Sequence, residues 1–356
     1  RRARDARRGL ADVAPRLARG AWLACSARNR AAGQHRKTQC TYHGTMTILQ
    51  LPGTSLNVSA FCYGTAEIGA KACGADADRL LNTYRDAGGT FLDSAHVYAV
   101  WADVGAGSSE RAIAAYFRRN GGRNAMVVAT KGGHPTFEGY PRADRFLSAD
   151  VIAQDVTESL ARLETDVIDL YYLHRDDPRM PVGDIIEILN AEIRKGRLRY
   201  LGASNWQTDR IEAANAYARK HGLAGFVASQ PQWSLAHSTA SSTGMVFLSA
   251  ADVAWHERSQ LPVVCYSATA RGFFATGAVS ADLDNTISRE RRTRACALAT
   301  ELGCSPTQIA LAYLRAHSFT VVPILGSLSI AHLRDGLGAD AIALTPAQMR
   351  WLRDGE

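Results

Sequence analysis

"TFLDSAHVYAVWADVGAGSSERAIAAYFRRNGGRNAMVVATKGG", Thr90 to Gly133, contains the smallest unit from which the fold can be argued. Its first run, 90–95, is short and apolar, as a buried strand would be. Apolar residues then recur at three and four spacing through "SSERAIAAYFRRN" (108–120), the period of a helix, before "MVVATK" (126–131) returns to a strand-like run. Strand, helix and strand in that order predict two parallel strands joined by a helical crossover.

The pattern continues in both directions. Strand-like runs occur at "NVSAFCYG" (57–64), "TFLDSA" (90–95), "MVVATK" (126–131), "VIDLYYL" (167–173), "RYLGAS" (199–204), "GFVASQ" (225–230), "PVVCYS" (262–267) and "TVVPILG" (320–326). Helix-patterned stretches such as "ADRLLNTYRDAG", "SADVIAQDVTESLARLE", "GDIIEILNAEIRKG", "TDRIEAANAYARKHG" and "SPTQIALAYLRAH" lie between them. Ser148 and Asp150 precede a helical run, Gly196 and Gly222 follow one, and Pro306 takes a first-turn position. The strands are nearly continuous in apolar residues, as parallel strands covered on both faces are.

Eight βα units in about 300 residues predict an α/β fold of the (β/α)8 TIM-barrel class, whose functional residues collect at the C-terminal ends of the strands. A doubly wound sheet competes, but "GTAEIG" after the first strand is not GxGxxG, and the "GAG" at 105–107 follows a long loop. Ahead of the barrel, "TILQLPGTSLNVS" predicts a β-hairpin around a Pro-Gly turn that caps the bottom of the barrel.

Composition limits the partners. The chain has 356 residues and a formal charge of +7. Residues 1–45 hold eleven Lys and Arg against Asp5 and Asp12, a net of +9, which leaves −2 for the remainder. The folded part has no basic bias, so nucleic acid is not expected as a partner. Apolar runs such as "VVCYSATA" are too short for a transmembrane helix, so no membrane partner is expected. Residues 1–45, rich in Arg and Ala, read as a disordered or non-native extension ahead of a barrel at 46–356, with Met46 as the true start. The alternative is an organellar transit peptide. The seven cysteines show no CxxC pair and no zinc spacing, so no metal is expected and a reducing, cytoplasmic setting is.

Polar residues gather where consecutive strands end. Asp93 closes the second strand and Tyr98 follows in its loop; Lys131 closes the third; His174 follows the fourth. Each alone has an ordinary structural reading, as a turn former, a packed ring, a solvated cap or a core imidazole. Together they suit proton donation. A phenol has an ordinary pKa of about 10, and a Lys ammonium held by a carboxylate would stabilise its anion. His174 could then orient a carbonyl oxygen. "GASNW" and "VASQPQW" offer amides and hydroxyls suited to a nicotinamide carboxamide.

These residues resemble the aldo-keto reductase family, and the resemblance extends from about Thr47 to the end of the chain. "FLDSAHVY" is similar to the family's Asp-Thr-Ala-x-x-Tyr stretch, with Ser94 in place of Thr. The resemblance implies a catalytic tetrad of Asp93, Tyr98, Lys131 and His174, with Tyr98 as general acid. It implies that Ser204, Asn205 and Gln230 bind the nicotinamide amide and that Tyr266 stacks on its ring. Ser267, Arg271 and Gly272 would line the pyrophosphate, and Gly326 and Ser327 the adenosine end. NADPH is the expected cofactor, but Leu328 stands where many members have a basic residue for the 2′-phosphate, which leaves NADH possible. The loop "AVWADVGAGSSE" is longer than usual, and Trp101 in it, with Arg175 and Asp176 after His174, would form a substrate-binding rim.

The expected function is reduction of an aldehyde or ketone, possibly sugar-derived, to an alcohol, with hydride from nicotinamide and the proton from Tyr98. The small-molecule carbonyl substrate is the only partner expected. A redox-sensing regulatory subunit that binds cofactor with little turnover is the alternative, as in the channel-associated β subunits of the superfamily. A Schiff-base aldolase using Lys131 is disfavoured, because Asp93 would keep the amine charged.

Overall fold

The computed structural model describes residues 44–239, 244–278 and 280–356. The first elements are the two arms of an antiparallel hairpin, β1 (Ile48–Gln50) and β2 (Asn57–Ser59), with Leu49 opposite Val58. Gly53 turns the chain at φ 75°, left-handed backbone that glycine adopts without steric cost. Leu51, Leu56 and Val58 join one buried cluster with Cys62, Phe91, Ala129, Leu170 and Ala228 from the barrel strands, so the hairpin seals the barrel's lower end.

The run 57–64, read from sequence as one barrel strand, is two strands with different partners. Its first part is β2; the barrel strand proper is β3 (Cys62–Gly64). The Ala60 amide still donates to Thr47 in the hairpin, whereas that of Cys62 donates to the Pro323 carbonyl at 3.0 Å. Residues on both sides of the switch are buried, so no change in polarity marks it.

β3 pairs in parallel with β4 (Phe91–Asp93), and the sheet continues through β5 (Val127–Gly132), β6 (Ile168–Leu173), β7 (Leu198–Ser204) and β8 (Phe226–Gln230). On its other edge β3 pairs with β9 (Ile324–Leu325). The expected strand at 262–267 closes the gap between β8 and β9 with isolated bridges rather than a regular ladder. Val264 N donates to Ser229 O at 2.8 Å on one side, and Val322 N to Val263 O at 2.8 Å on the other. Pro262 and Pro323 each lack an amide donor, which shortens the ladders there.

Helices Gly74–Asp86, Ser108–Asn120, Ala149–Leu163, Val182–Arg194, Thr208–His221 and Pro306–Arg315 stand where the helical period put them. Ser305 and Gln308 form a reciprocal capping box before Pro306, and Gly222 ends its helix in left-handed backbone. A second buried cluster, including Leu80, Ile113, Val156, Ile186 and Ile309, packs these helices on the outside of the strands.

No helix of the described residues is long and apolar enough to cross a membrane. The extension expected at 1–45 lies outside the described residues except for 44 and 45, as do Cys25 and Cys40.

Candidate active site

Strand periodicity builds the site. Side chains two residues apart share a face, and the barrel interior is filled by Phe91, Ala129, Tyr172, Ala228 and Val264. Two residues beyond each of these stand Asp93, Lys131, His174, Gln230 and Tyr266. They form the last inward-facing layer, at the end opposite the hairpin. Gly202 occupies the same layer as Tyr172, and a Cβ there would fall 2.3 Å from the Tyr172 ring, so glycine makes room for it.

Lys131 is the centre of this layer and is 1% exposed. Its Nζ donates to Asp93 Oδ2 at 2.7 Å, to the Ser94 carbonyl at 2.7 Å and to the Tyr98 hydroxyl at 3.0 Å. Burial alone would lower the lysine pKa, but Asp93 and Tyr98 outweigh it and hold the ammonium above its ordinary value. Burial raises the Tyr98 phenol, and Lys131 offsets this only in part, so the net shift is upward from 10. Lys131 acts in the direction expected from sequence, toward the phenolate, but desolvation dominates, so the phenol keeps its proton at neutral pH.

Tyr98 reaches Lys131 from the loop after β4. Its amide donates to Ala95 and its carbonyl accepts from Gly107, while Ala99 takes φ 70°. The His174 ring meets Tyr98 edge-on at 6.0 Å. His174 Nδ1 is buried and has no partner among the described residues. Burial, then Arg175 and Lys131, push this imidazole well below 6.5, so it is neutral.

The amide group expected to hold nicotinamide is present but internally bonded. Gln230 Nε2 donates to Asp93 Oδ1 at 2.9 Å, and Ser204 Oγ to the Gln230 carbonyl at 3.0 Å. Asn205, at φ 58°, donates to the His174 carbonyl at 3.3 Å and accepts the Tyr266 hydroxyl at 2.7 Å.

A cavity of about 710 Å³ opens from Asp93 and Tyr98 and runs past Tyr266 to Gly326 and Ser327. Its volume falls in the range of small-molecule and cofactor sites. Ser267, Arg271 and Gly272 line it as well, and Ser267, Ala270, Arg271 and Gly272 all have positive φ. Successive backbone of this kind turns amides toward a common point, a geometry that suits an anion such as pyrophosphate. The Arg271 guanidinium is drawn aside to Asp282 at 3.1 Å. The residues present therefore fit a nicotinamide dinucleotide.

Sequence reasoning missed several lining residues. Thr307, His332 and Asp335 line the cavity together with Gly326 and Ser327, and Ser305 donates to Asp335 at 2.9 Å. The Tyr63 hydroxyl anchors the Ser327 carbonyl at 3.0 Å. Beside the site, His134 meets the His174 ring edge-on at 4.9 Å, with Phe137 5.0 Å from His134. The signal for these was the aromatic, Pro- and Gly-rich loop "GGHPTFEGY" directly after Lys131.

The expected rim residues divide. Trp101 is 53% exposed and meets Tyr98 edge-on at 6.1 Å. Asp176 turns both carboxylate oxygens to Arg210, at 2.8 and 2.9 Å, and so serves the fold. Arg175 donates to the His174 carbonyl at 2.9 Å.

Burial also lowers the pKa of His134, to about 4, and of His256 and His317 from their ordinary 6.5. Unfolded chains protonate these rings as pH falls through about 6.5, whereas the folded chain protonates them only at lower pH. Stability present above that pH is therefore lost on acidification. His134, held down to about 4, contributes up to about 1.4 kcal/mol per pH unit between its unfolded and folded values, and His256 and His317 act in the same direction. Urea midpoints should fall steadily from about pH 7 to about pH 5; a flat profile would contradict neutral buried rings.

Comparison with known proteins gives a consistent set of relatives. The sequence matches the Aldo/keto reductase family model over residues 60–354. It is 32% identical over 321 residues to the uncharacterized oxidoreductase YrpG of Bacillus subtilis, covering 87% of this chain and 95% of that one. It is 27% identical to an aryl-alcohol dehydrogenase [NADP(+)] of Phanerodontia chrysosporium, covering 85% and 84%. A 6-dehydroglucose reductase of Novosphingobium aromaticivorans is 29% identical, covering 85% and 91%. A thermostable aldo-keto reductase solved with the inhibitor epalrestat superposes with a TM-score of 0.67 at 22% identity, covering 86% and 99%, and shares the fold.

Proposed function

The chain belongs to the aldo/keto reductase family, and from that premise we propose that it reduces an aldehyde or ketone with NADPH, Tyr98 supplying the proton. The observation that carries this reading is the Lys131 ammonium, held 2.7 Å from Asp93 and 3.0 Å from Tyr98 at the mouth of the cavity. A bound nicotinamide dinucleotide would supply the hydride. Tyr98 gives its proton to the carbonyl oxygen as negative charge develops there, and the adjacent ammonium stabilises the phenolate left behind. Neutral His174 donates a hydrogen bond to the same oxygen and fixes its direction. Gln230 keeps Asp93 turned toward Lys131.

NADPH is preferred because the names of two relatives carry NADP(+). NADH remains the second candidate because Leu328 supplies no charge for a 2′-phosphate, while His332 lines that end of the cavity. Fluorescence titration with both cofactors should give the lower Kd for NADPH; equal or tighter NADH binding would reverse the assignment. The sugar-derived substrate is supported by the similarity to a 6-dehydroglucose reductase. An aryl aldehyde is favoured instead by the aromatic wall of Tyr98, Trp101, His134 and Phe137. A turnover screen over sugar and aryl aldehydes decides between them, and tight cofactor binding with no turnover on any aldehyde would favour the regulatory subunit. We place the protein in the cytoplasm, acting on a small carbonyl compound rather than on nucleic acid or membrane. Imaging of the tagged full chain tests the location, and an organellar signal would instead assign residues 1–45 as a transit peptide.

A further inference from the structure

Arg175 follows His174 at the end of β6 and folds back, Nη1 donating to the His174 carbonyl at 2.9 Å. Asn205 donates to the same oxygen and accepts the Tyr266 hydroxyl, so Arg175 shares its acceptor with the amide that holds Tyr266. Its charge acts on Tyr98, Tyr266, His174 and His134. A Cβ on Gly244 would lie 3.5 Å from its Cδ, so the stem is flanked by backbone as well.

A guanidinium carries five N–H donors, and covering one without a counter-charge is unfavourable. Arg175 is half-buried, makes one hydrogen bond, to a carbonyl, and meets no carboxylate at ion-pair distance among the described residues. The arginines near it differ. Arg142 pairs with Asp155, Arg179 with Asp144 and Asp177, and Arg210 with Asp176. Asp176 and Asp177 adjoin Arg175 in sequence, yet both turn to other arginines. Of the acids that line the neighbouring cavity, Asp93 is held by Lys131 and Gln230, Glu67 by Lys71 and Asp335 by Ser305, and none of them pairs with Arg175. Arg175 is left without a counter-charge among the described residues.

We propose that Arg175 receives a carboxylate carried by the substrate, so that the compound reduced is a carbonyl acid whose two groups are separated by a flat apolar spacer. This rests on the carbonyl-reductase reading and names its substrate class. A carboxylate satisfies several guanidinium donors at once and supplies the missing charge, which sugar hydroxyls do not. The ring wall formed by His174, His134 and Phe137 suits a planar spacer.

The test compares 4-carboxybenzaldehyde with 4-methylbenzaldehyde, similar in shape and different in charge, using the full chain with saturating reduced cofactor. kcat/KM should favour the acid by about ten-fold, mostly through KM. In Arg175→Met that ratio should fall close to one, and in Arg175→Lys part of it should return. A ratio that Arg175→Met does not move overturns the assignment and leaves carbonyl reduction standing. Glyceraldehyde 3-phosphate against glyceraldehyde asks the same question of phosphate; a preference confined to that pair also overturns the carboxylate. Independently of turnover, calorimetry should detect benzoate binding to the cofactor-loaded parent and its loss in Arg175→Met. Absence of binding in the parent overturns the proposal. Arg175-dependent benzoate binding with neither benzaldehyde reduced would support the anion site and refute the proposed reaction.

Discussion

Tyr98→Phe should lower kcat by about 10²- to 10⁴-fold, the usual contribution of a positioned proton donor, while leaving the Kd for reduced cofactor nearly unchanged. The substitution removes one oxygen, which accepts a 3.0 Å hydrogen bond from Lys131. The ring remains against Trp101 and His174, so the loop keeps its packing. Lys131 keeps Asp93 and the Ser94 carbonyl as partners and stays charged. Loss of the acid is thereby separated from loss of the site's shape. Stopped-flow turnover with a reactive aldehyde, alongside cofactor titration, measures both quantities. Near-parental kcat would mean that another group, with His174 the first to suspect, delivers the proton.

Most of this site was legible in the sequence because strand register and site geometry are the same fact. Once 126–131 is a parallel strand, alternation alone turns Val127, Ala129 and Lys131 to one side, and the neighbouring strands bring Asp93 and His174 to the same level. Three things were not legible. The change of partner between Ala60 and Cys62 lies inside a uniformly buried run, so hydrophobicity carries no mark of it. The direction of the Tyr98 shift depends on how deeply the phenol is covered, which is a property of the assembled loop and not of residue spacing. Asp176 and Arg175 looked equivalent as polar residues after His174, but Arg210, brought in by the helix Thr208–His221, captures Asp176 alone. Partners more than thirty residues away in sequence decided which of the two is committed to the fold.

Lys131→Met should damage both catalysis and folding, and the two losses should respond differently to a second substitution. Methionine approximates the lysine stem and fits the buried position, so the main change is loss of the ammonium. Asp93, 2% exposed, is then left without its counter-charge. Breaking a buried pair from one side costs about 3–5 kcal/mol, largely through the uncompensated charge that remains. Adding Asp93→Asn removes that charge and retains an acceptor for Gln230 Nε2, which now donates to Asp93 Oδ1 at 2.9 Å. The double variant should therefore regain most of the lost urea resistance. It should not regain turnover, because no cation remains beside Tyr98 to stabilise the phenolate, and kcat should stay depressed by about 10²-fold or more. Equal stability of parent and Lys131→Met would contradict a buried, mutually dependent pair. Recovery of activity in the double variant would mean that the ammonium supports the fold and that proton transfer proceeds without it.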